Sequence, residues 1–185
     1  MEVKTIGKLL SNSYKDNQSR VIDGFSRDDE LSGKRAQVYK NDLTGQAYVV
    51  HRGTQGIQDV ISDVKLAFGD KSGKRFKHAQ QIQNQANEKF GNENITTLGH
   101  SLGASIAEKV GKSTNKIITL NKPVNISDSI SVKVPMKQID IKTQNDPVSI
   151  LRGFQKGKKP TVIKSLSKNP LTEHKVNVIN RLIKF

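Results

Sequence analysis

At 185 residues the chain is long enough to bury a core without covalent staples, and the absence of cysteine rules out disulfides, thiolate zinc sites and a cysteine nucleophile. Hydrophobic residues make up 34%, aromatics 5%, and tryptophan is absent, so the core must be aliphatic, and no apolar run is long enough to span a bilayer. A formal net charge of +14 attracts phosphate, whether in nucleic acid or in anionic lipid headgroups, unless it merely reflects a lysine-rich solvated surface.

Lys4 and Lys8 interrupt the first apolar residues before any signal-type segment forms, so the chain reads as soluble, with the cytoplasm as the default compartment. Ile6, Leu9 and Leu10 suit one face of a short helix, residues 11–19 are polar, and Val21, Ile22 and Phe25 suggest a second short element. Residues 36–39 and 46–51 read as two strands joined by a polar hairpin, with Gly45 in the turn. Beyond Arg52-Gly53-Thr54, helical spacing recurs over residues 57–68, then over Arg75 to Phe90 with Phe76, Ala79, Ile82, Ala86 and Phe90, stopped by Gly91.

Next comes an apolar run that halts at Gly99-His100-Ser101-Leu102-Gly103, where a helix to Val110 begins. Residues 116–120 and 138–143 are strand-like, residues 127–135 irregular. The basic tail is loop-rich up to Lys168, and a last helix is expected over residues 176–183. Alternating helices and strands imply an α/β fold, with a mainly parallel central sheet flanked by helices. The whole of 1–185 is expected to form one domain, least legible over 1–35 and strongly basic over 151–185.

Gly-x-Ser-x-Gly between a strand and a helix is the layout of a nucleophile elbow, with Ser101 projecting from a sharp turn and glycines where neighbouring backbone leaves no room for a Cβ. Such a serine needs a base and an orienting acid, in the chain order Ser, Asp or Glu, His. His51, His78 and His100 lie at or before the serine, which leaves His174 as the base. Among Asp128, Asp140, Asp146 and Glu173, Asp146 stands just past a strand's C-terminal end, where sites on open α/β sheets collect. The backbone N–H of Leu102 and that of the Gly53-Thr54 loop are the expected oxyanion donors, Thr54 adding a hydroxyl.

Four ordered blocks carry a resemblance: Tyr48-Val49-Val50-His51-Arg52-Gly53-Thr54 with Asp59 and Asp63, Gly99-His100-Ser101-Leu102-Gly103-Ala104, Asn145-Asp146-Pro147-Val148, and the late His174. Together they resemble the fungal-type class 3 lipases of the α/β-hydrolase superfamily over roughly residues 36–180. The resemblance implies a serine esterase that cleaves acylglycerols or phospholipids through an acyl-enzyme, with Ser101, Asp146 and His174 as triad, Thr54 and Leu102 as oxyanion hole, and neither cofactor nor metal. The chain departs from the family pattern at His51, at Asp59-Val60 and at Asn121-Lys122-Pro123, where Gly-x-Pro is usual.

The helix over 57–68 occupies the place where such enzymes often carry a lid, the alternative being a fixed helix packed on the sheet. The lysines of the tail, with Arg152, would border a site built on His174 and hold the protein on an anionic membrane surface. The same fold also serves acyltransferases and thioesterases. A basic module without catalysis would need no intact Ser, Asp and His, and nucleic acid is disfavoured because no aromatics interleave with the lysines.

Overall fold

A computed structural model describes residues 3–54, 73–124, 134, 136–149, 152 and 156–184. The helix expected over 57–68, with Asp59 and Asp63, and most of the irregular stretch 127–135 lie outside them.

Eight strands form one sheet in chain order: β1 (Val21–Ile22), β2 (Phe25–Arg27), β3 (Ala36–Lys40), β4 (Ala47–His51), β5 (Ile95–His100), β6 (Lys116–Leu120), β7 (Gln138–Thr143) and β8 (Thr161–Ile163). Pairing is antiparallel from β1 to β4 and parallel from β4 to β8. The β3–β4 hairpin pairs Ala36 with His51, and its turn has the expected chemistry. The Asn41 side chain accepts the N–H groups of Leu43 and Thr44, and Gly45 takes φ 71°.

Strand β4 shows why the sheet is covered on both faces. Ala47 and Val49 join Ile95 and the Ile82 and Ala86 side chains of helix α2 (Lys74–Phe90), whereas Tyr48 and Val50 join Leu98 and Ile118 on the opposite face. That opposite face is closed by helix α1 (Val3–Asn12), through Ile6, Leu9 and Leu10, and by Val178 and Ile179 of the C-terminal segment. Helix α3 (Leu102–Val110) packs against α2, with Leu102, Ile106 and Val110 around Ala79. No helix among the described residues is long and apolar enough to cross a membrane.

Four features differ from the sequence reading. Val21, Ile22 and Phe25 belong to the small β1–β2 hairpin, turned at Asp23 and Gly24, both of which have positive φ. The C-terminal segment Val176–Lys184 is a 3₁₀-helix, although Val178 and Ile179 are buried as an α-helix would have them; β-branched Val176, Val178 and Ile179 favour α-helix weakly. The basic tail contains strand β8 and one turn of helix, α4 (Pro170–Glu173), both too short for periodicity to reveal.

Arg152, expected among the surface cations, is buried against Asp140 and donates to the Lys158 carbonyl at 2.7 Å. Asp140 also receives the Thr119 hydroxyl and the Gln138 amide, with Lys122 at 3.5 Å. Burial alone would raise the Asp140 carboxyl, but the charges of Lys122 and Arg152 outweigh it and hold the group below the usual carboxylate range.

Candidate active site

The C-terminal ends of β4 to β7 carry, in turn, Arg52-Gly53-Thr54, Ser101, Asn121 and the Asp146 turn. Ser101 interrupts the passage from β5 to α3 with φ 56° and ψ −132°, a conformation that costs a non-glycine residue ~1–3 kcal/mol and persists only where its surroundings enforce it. Those surroundings are backbone. A Cβ on Gly103 would stand 2.1 Å from the His51 carbonyl oxygen, and one on Gly99 would stand 2.2 Å from that of Gly103. Strand, turn and helix therefore touch with no side chain between them, as the spacing of the two glycines implied. The Ser101 side chain does not cap α3, and its hydroxyl is directed instead to His174.

His174 Nε2 lies 2.9 Å from Ser101 Oγ, and Nδ1 lies 2.7 Å from Asp146 Oδ1. All three side chains are buried. Asp146 is itself fixed: Oδ2 accepts the Ser149 N–H at 2.8 Å, and its own N–H reaches back to the Thr143 carbonyl at the end of β7. With Nδ1–H donated to the carboxylate, the Nε2 lone pair faces the serine hydroxyl, which is the arrangement of a general base against a nucleophile.

The other acidic candidates are engaged elsewhere. Asp140 is neutralised in its cluster, and Asp128 lies outside the described residues. Glu173 accepts the Leu166 and Ser167 N–H groups at 3.2 and 2.7 Å and pairs with Arg181 at 2.6 Å. It anchors the segment that carries His174.

Two further side chains hold that segment, by the carbonyls on either side of the 173–174 peptide link. Asn121 Nδ2 donates to the Glu173 carbonyl at 3.0 Å while Oδ1 accepts the Thr143 N–H at 2.9 Å. His100 Nε2–H donates to the His174 carbonyl at 2.8 Å. Asn121 has φ 49°, so the residue that departs from Gly-x-Pro keeps a glycine-like backbone, which asparagine tolerates, and adds a side-chain bridge that glycine lacks.

His100 is the elbow's variable residue, and it is not solvent-facing. Because Nε2–H is donated to a carbonyl, Nδ1 is an acceptor, and the Tyr14 hydroxyl donates to it at 2.7 Å. The same hydroxyl accepts the Gly53 N–H at 2.9 Å. Burial drives the His100 imidazole down to about 3, assisted by the charge of His174, and pushes the Tyr14 phenol up to about 12. Both groups are neutral near pH 7. The Arg52 guanidinium lies 5.9 Å from the centroid of the Tyr14 ring.

Nothing in the polar run 11–19 marks Tyr14 as part of the site, since a single aromatic carries no periodicity. Tyr14→Phe keeps the ring but leaves the Gly53 N–H and His100 Nδ1 without their partner. It is expected to lower stability by ~1–3 kcal/mol in urea unfolding, and an unchanged midpoint would mean that water replaces the hydroxyl.

The Gly53 N–H is committed to the Tyr14 hydroxyl, and the next N–H of this loop is that of Thr54. Thr54 is half-buried, and Leu102 is buried as the first residue of α3, where N–H groups precede the intrahelical ladder. No group of His, Asp and Glu among the described residues could hold a metal ion.

A family model for the Tle-like phospholipase domain, of the phospholipase-like group, matches residues 12–121, more than half of the chain. In structure the chain is similar to the Lip2 lipase of Yarrowia lipolytica, with a TM-score of 0.59 and 18% identity over 92% of this chain and 82% of the lipase. No curated protein sequence matches it. The match to the family model takes in Tyr14, Thr54 and the elbow and ends at Asn121, so Asp146 and His174 rest on geometry alone. With the sheet order, the strained serine and the family match in agreement, the chain belongs to the Tle-like phospholipase domain family, lipid-ester hydrolases of the α/β-hydrolase fold.

Proposed function

We propose that the protein is a serine carboxylic ester hydrolase that cleaves the acyl esters of phospholipids through an acyl-enzyme. The observation that carries this reading is the buried hydrogen-bonded chain from Ser101 through His174 to Asp146, at 2.9 and 2.7 Å, on a strained elbow at the strands' C-terminal ends. The Ser101 oxygen attacks the ester carbonyl carbon as His174 Nε2 takes its proton, and Asp146 stabilises the resulting imidazolium while holding its orientation.

Negative charge on the former carbonyl oxygen falls to the N–H groups of Leu102 and Thr54, the first assisted by the N-terminus of α3. His174 then returns the proton to the departing alcohol, the lysophospholipid, leaving the acyl group on Ser101. A water molecule, deprotonated by the same imidazole, releases the fatty acid and restores the serine.

A fluorophosphonate probe tests this directly. The native chain is expected to be labelled at Ser101, with no labelling of Ser101→Ala and only slow labelling of His174→Ala. Folded protein that resists the probe would sink the catalytic reading. Fatty acid released from phosphatidylglycerol or phosphatidylcholine, followed in the native chain and in Ser101→Ala, then assigns the substrate.

A further inference from the structure

We propose that the loop between β8 and α4, residues 164–169, is a bilayer-docking surface for anionic phospholipid, which seats the Ser101–His174 site against its substrate. The inference rests on the phospholipase reading above for its biological sense, but not for its measurement.

The loop stands at the C-terminal ends of the parallel strands, on the same rim as the site. Ser165 Oγ accepts the N–H of Asn145, the neighbour of Asp146, at 3.0 Å, and Leu166 and Ser167 are tied by their N–H groups to Glu173, the neighbour of His174. Five large apolar side chains are exposed among the described residues, and two of them belong here. Leu166 is 75% exposed and Val162 of β8 55% exposed, in a protein whose hydrophobic fraction is only 34%.

The same stretch of chain carries Lys164, Lys168 and Lys175, all exposed. From residue 156 to residue 182 the one acid is Glu173, and its carboxylate is buried and paired with Arg181. The stretch from 156 to 182 therefore offers apolar tips with exposed cations and no exposed carboxylate. That pattern matches a surface with phosphate at its face and hydrocarbon beneath it. A duplex nucleic acid would satisfy the lysines and leave Leu166 and Val162 in water.

The backbone also favours docking over casual exposure. Because Leu166 N–H and Ser167 N–H are already bonded to a buried carboxylate, the loop is held before contact, and little ordering is needed to present Leu166. The anchoring residue precedes His174, so the bilayer-facing loop and the base are parts of one braced unit.

Co-sedimentation with vesicles tests the proposal, using Ser101→Ala protein so that the lipid stays intact. Binding is expected to vesicles of phosphatidylglycerol with phosphatidylcholine and not to phosphatidylcholine alone, and it should weaken as salt is raised. Each membrane-facing lysine contributes about a fivefold factor, ~1 kcal/mol. Lys164→Glu with Lys168→Glu should therefore lower the partition coefficient by about 25-fold or more. Leu166→Asp should lower it with the lysines in place, whereas Lys112→Glu, at the far end of the sheet beside the start of β6, should leave it unchanged.

The same loop variants carrying Ser101 should still hydrolyse a soluble butyrate ester at the native rate, which shows that they fold. Equal binding by loop variants and native chain, or a Lys112→Glu loss as large as theirs, would overturn the proposal. So would duplex DNA that displaces the vesicles while depending on the lysines and not on Leu166. Since docking is read without turnover, protein that docks through the loop yet ignores the fluorophosphonate would sink the hydrolase reading alone.

Discussion

Asp146→Asn is expected to lower kcat for a soluble p-nitrophenyl ester by about 10⁴-fold while leaving KM within about threefold. The size follows from which oxygen does what. Asp146 Oδ2 accepts the Ser149 N–H at 2.8 Å and Oδ1 the Val148 N–H only at 3.4 Å, so an asparagine at this position keeps the stronger bond by placing its carbonyl oxygen at Oδ2 and its NH₂ group where Oδ1 meets His174. Nδ1 then becomes an acceptor, and the ring proton moves to Nε2, facing Ser101. The imidazole keeps its place but can no longer take the serine proton. Steady-state kinetics on folded variant decides the matter, and a loss of less than about tenfold would assign the orienting role to a different group.

Acid is expected to destabilise the protein from about pH 6.5 downwards, through two buried histidines. Burial pushes His51 down to about 4, with the positive charge of Arg75 adding to it against a hydrogen bond to Gln83, and pushes His100 down to about 3. Both groups are neutral in the folded chain and take up protons near 6.5 once unfolded. The unfolded state thus binds more protons below that value. The stability these histidines permit is fully present above pH ~6.5 and is lost as pH falls towards their folded values.

At ~1.4 kcal/mol per pH unit for each group, the loss is about 5 kcal/mol by about pH 4.5, comparable to the whole stability of many domains. Urea unfolding at several pH values measures it. A midpoint that stays level between neutral pH and about 4.5 would show that one or both sites admit a proton without opening. His51→Asn should roughly halve the slope.

The elbow and the β3–β4 hairpin are legible in sequence because each is specified by consecutive residues: two glycines where backbone touches backbone, and an asparagine and a glycine in a tight turn. Asp146 and His174 are legible by order and position, and the structure brings both to Ser101. The supports of the site are a different matter. Tyr14, Asn121 and Glu173 each act through two or more hydrogen bonds to groups that only the fold brings near, and no local pattern distinguishes a residue so used from a solvated one.

Asn121 even appears in sequence as a departure from a motif, whereas in the fold it meets the motif's backbone requirement and adds a brace. Arg152 misleads for the complementary reason. A run of basic residues suggests a solvated face, and only the placement of Asp140 opposite it reveals a buried partner. Strand β8, with three residues, and α4, with four, give periodicity too little length to register.

The bonds that complete the site span long stretches of chain: 39 residues between Tyr14 and Gly53, 73 between Ser101 and His174, and 86 between Tyr14 and His100. Contacts of such separation form late, once the entropy of closing large loops has been met by the rest of the sheet. The strained turn at Ser101 depends on the same closure, because Gly103 packs against the His51 carbonyl of a strand about 50 residues earlier. A chain that lacks these contacts therefore holds Ser101 apart from His174 and Asp146. The array of Ser101, His174 and Asp146 is thus a product of the completed fold rather than of any one segment.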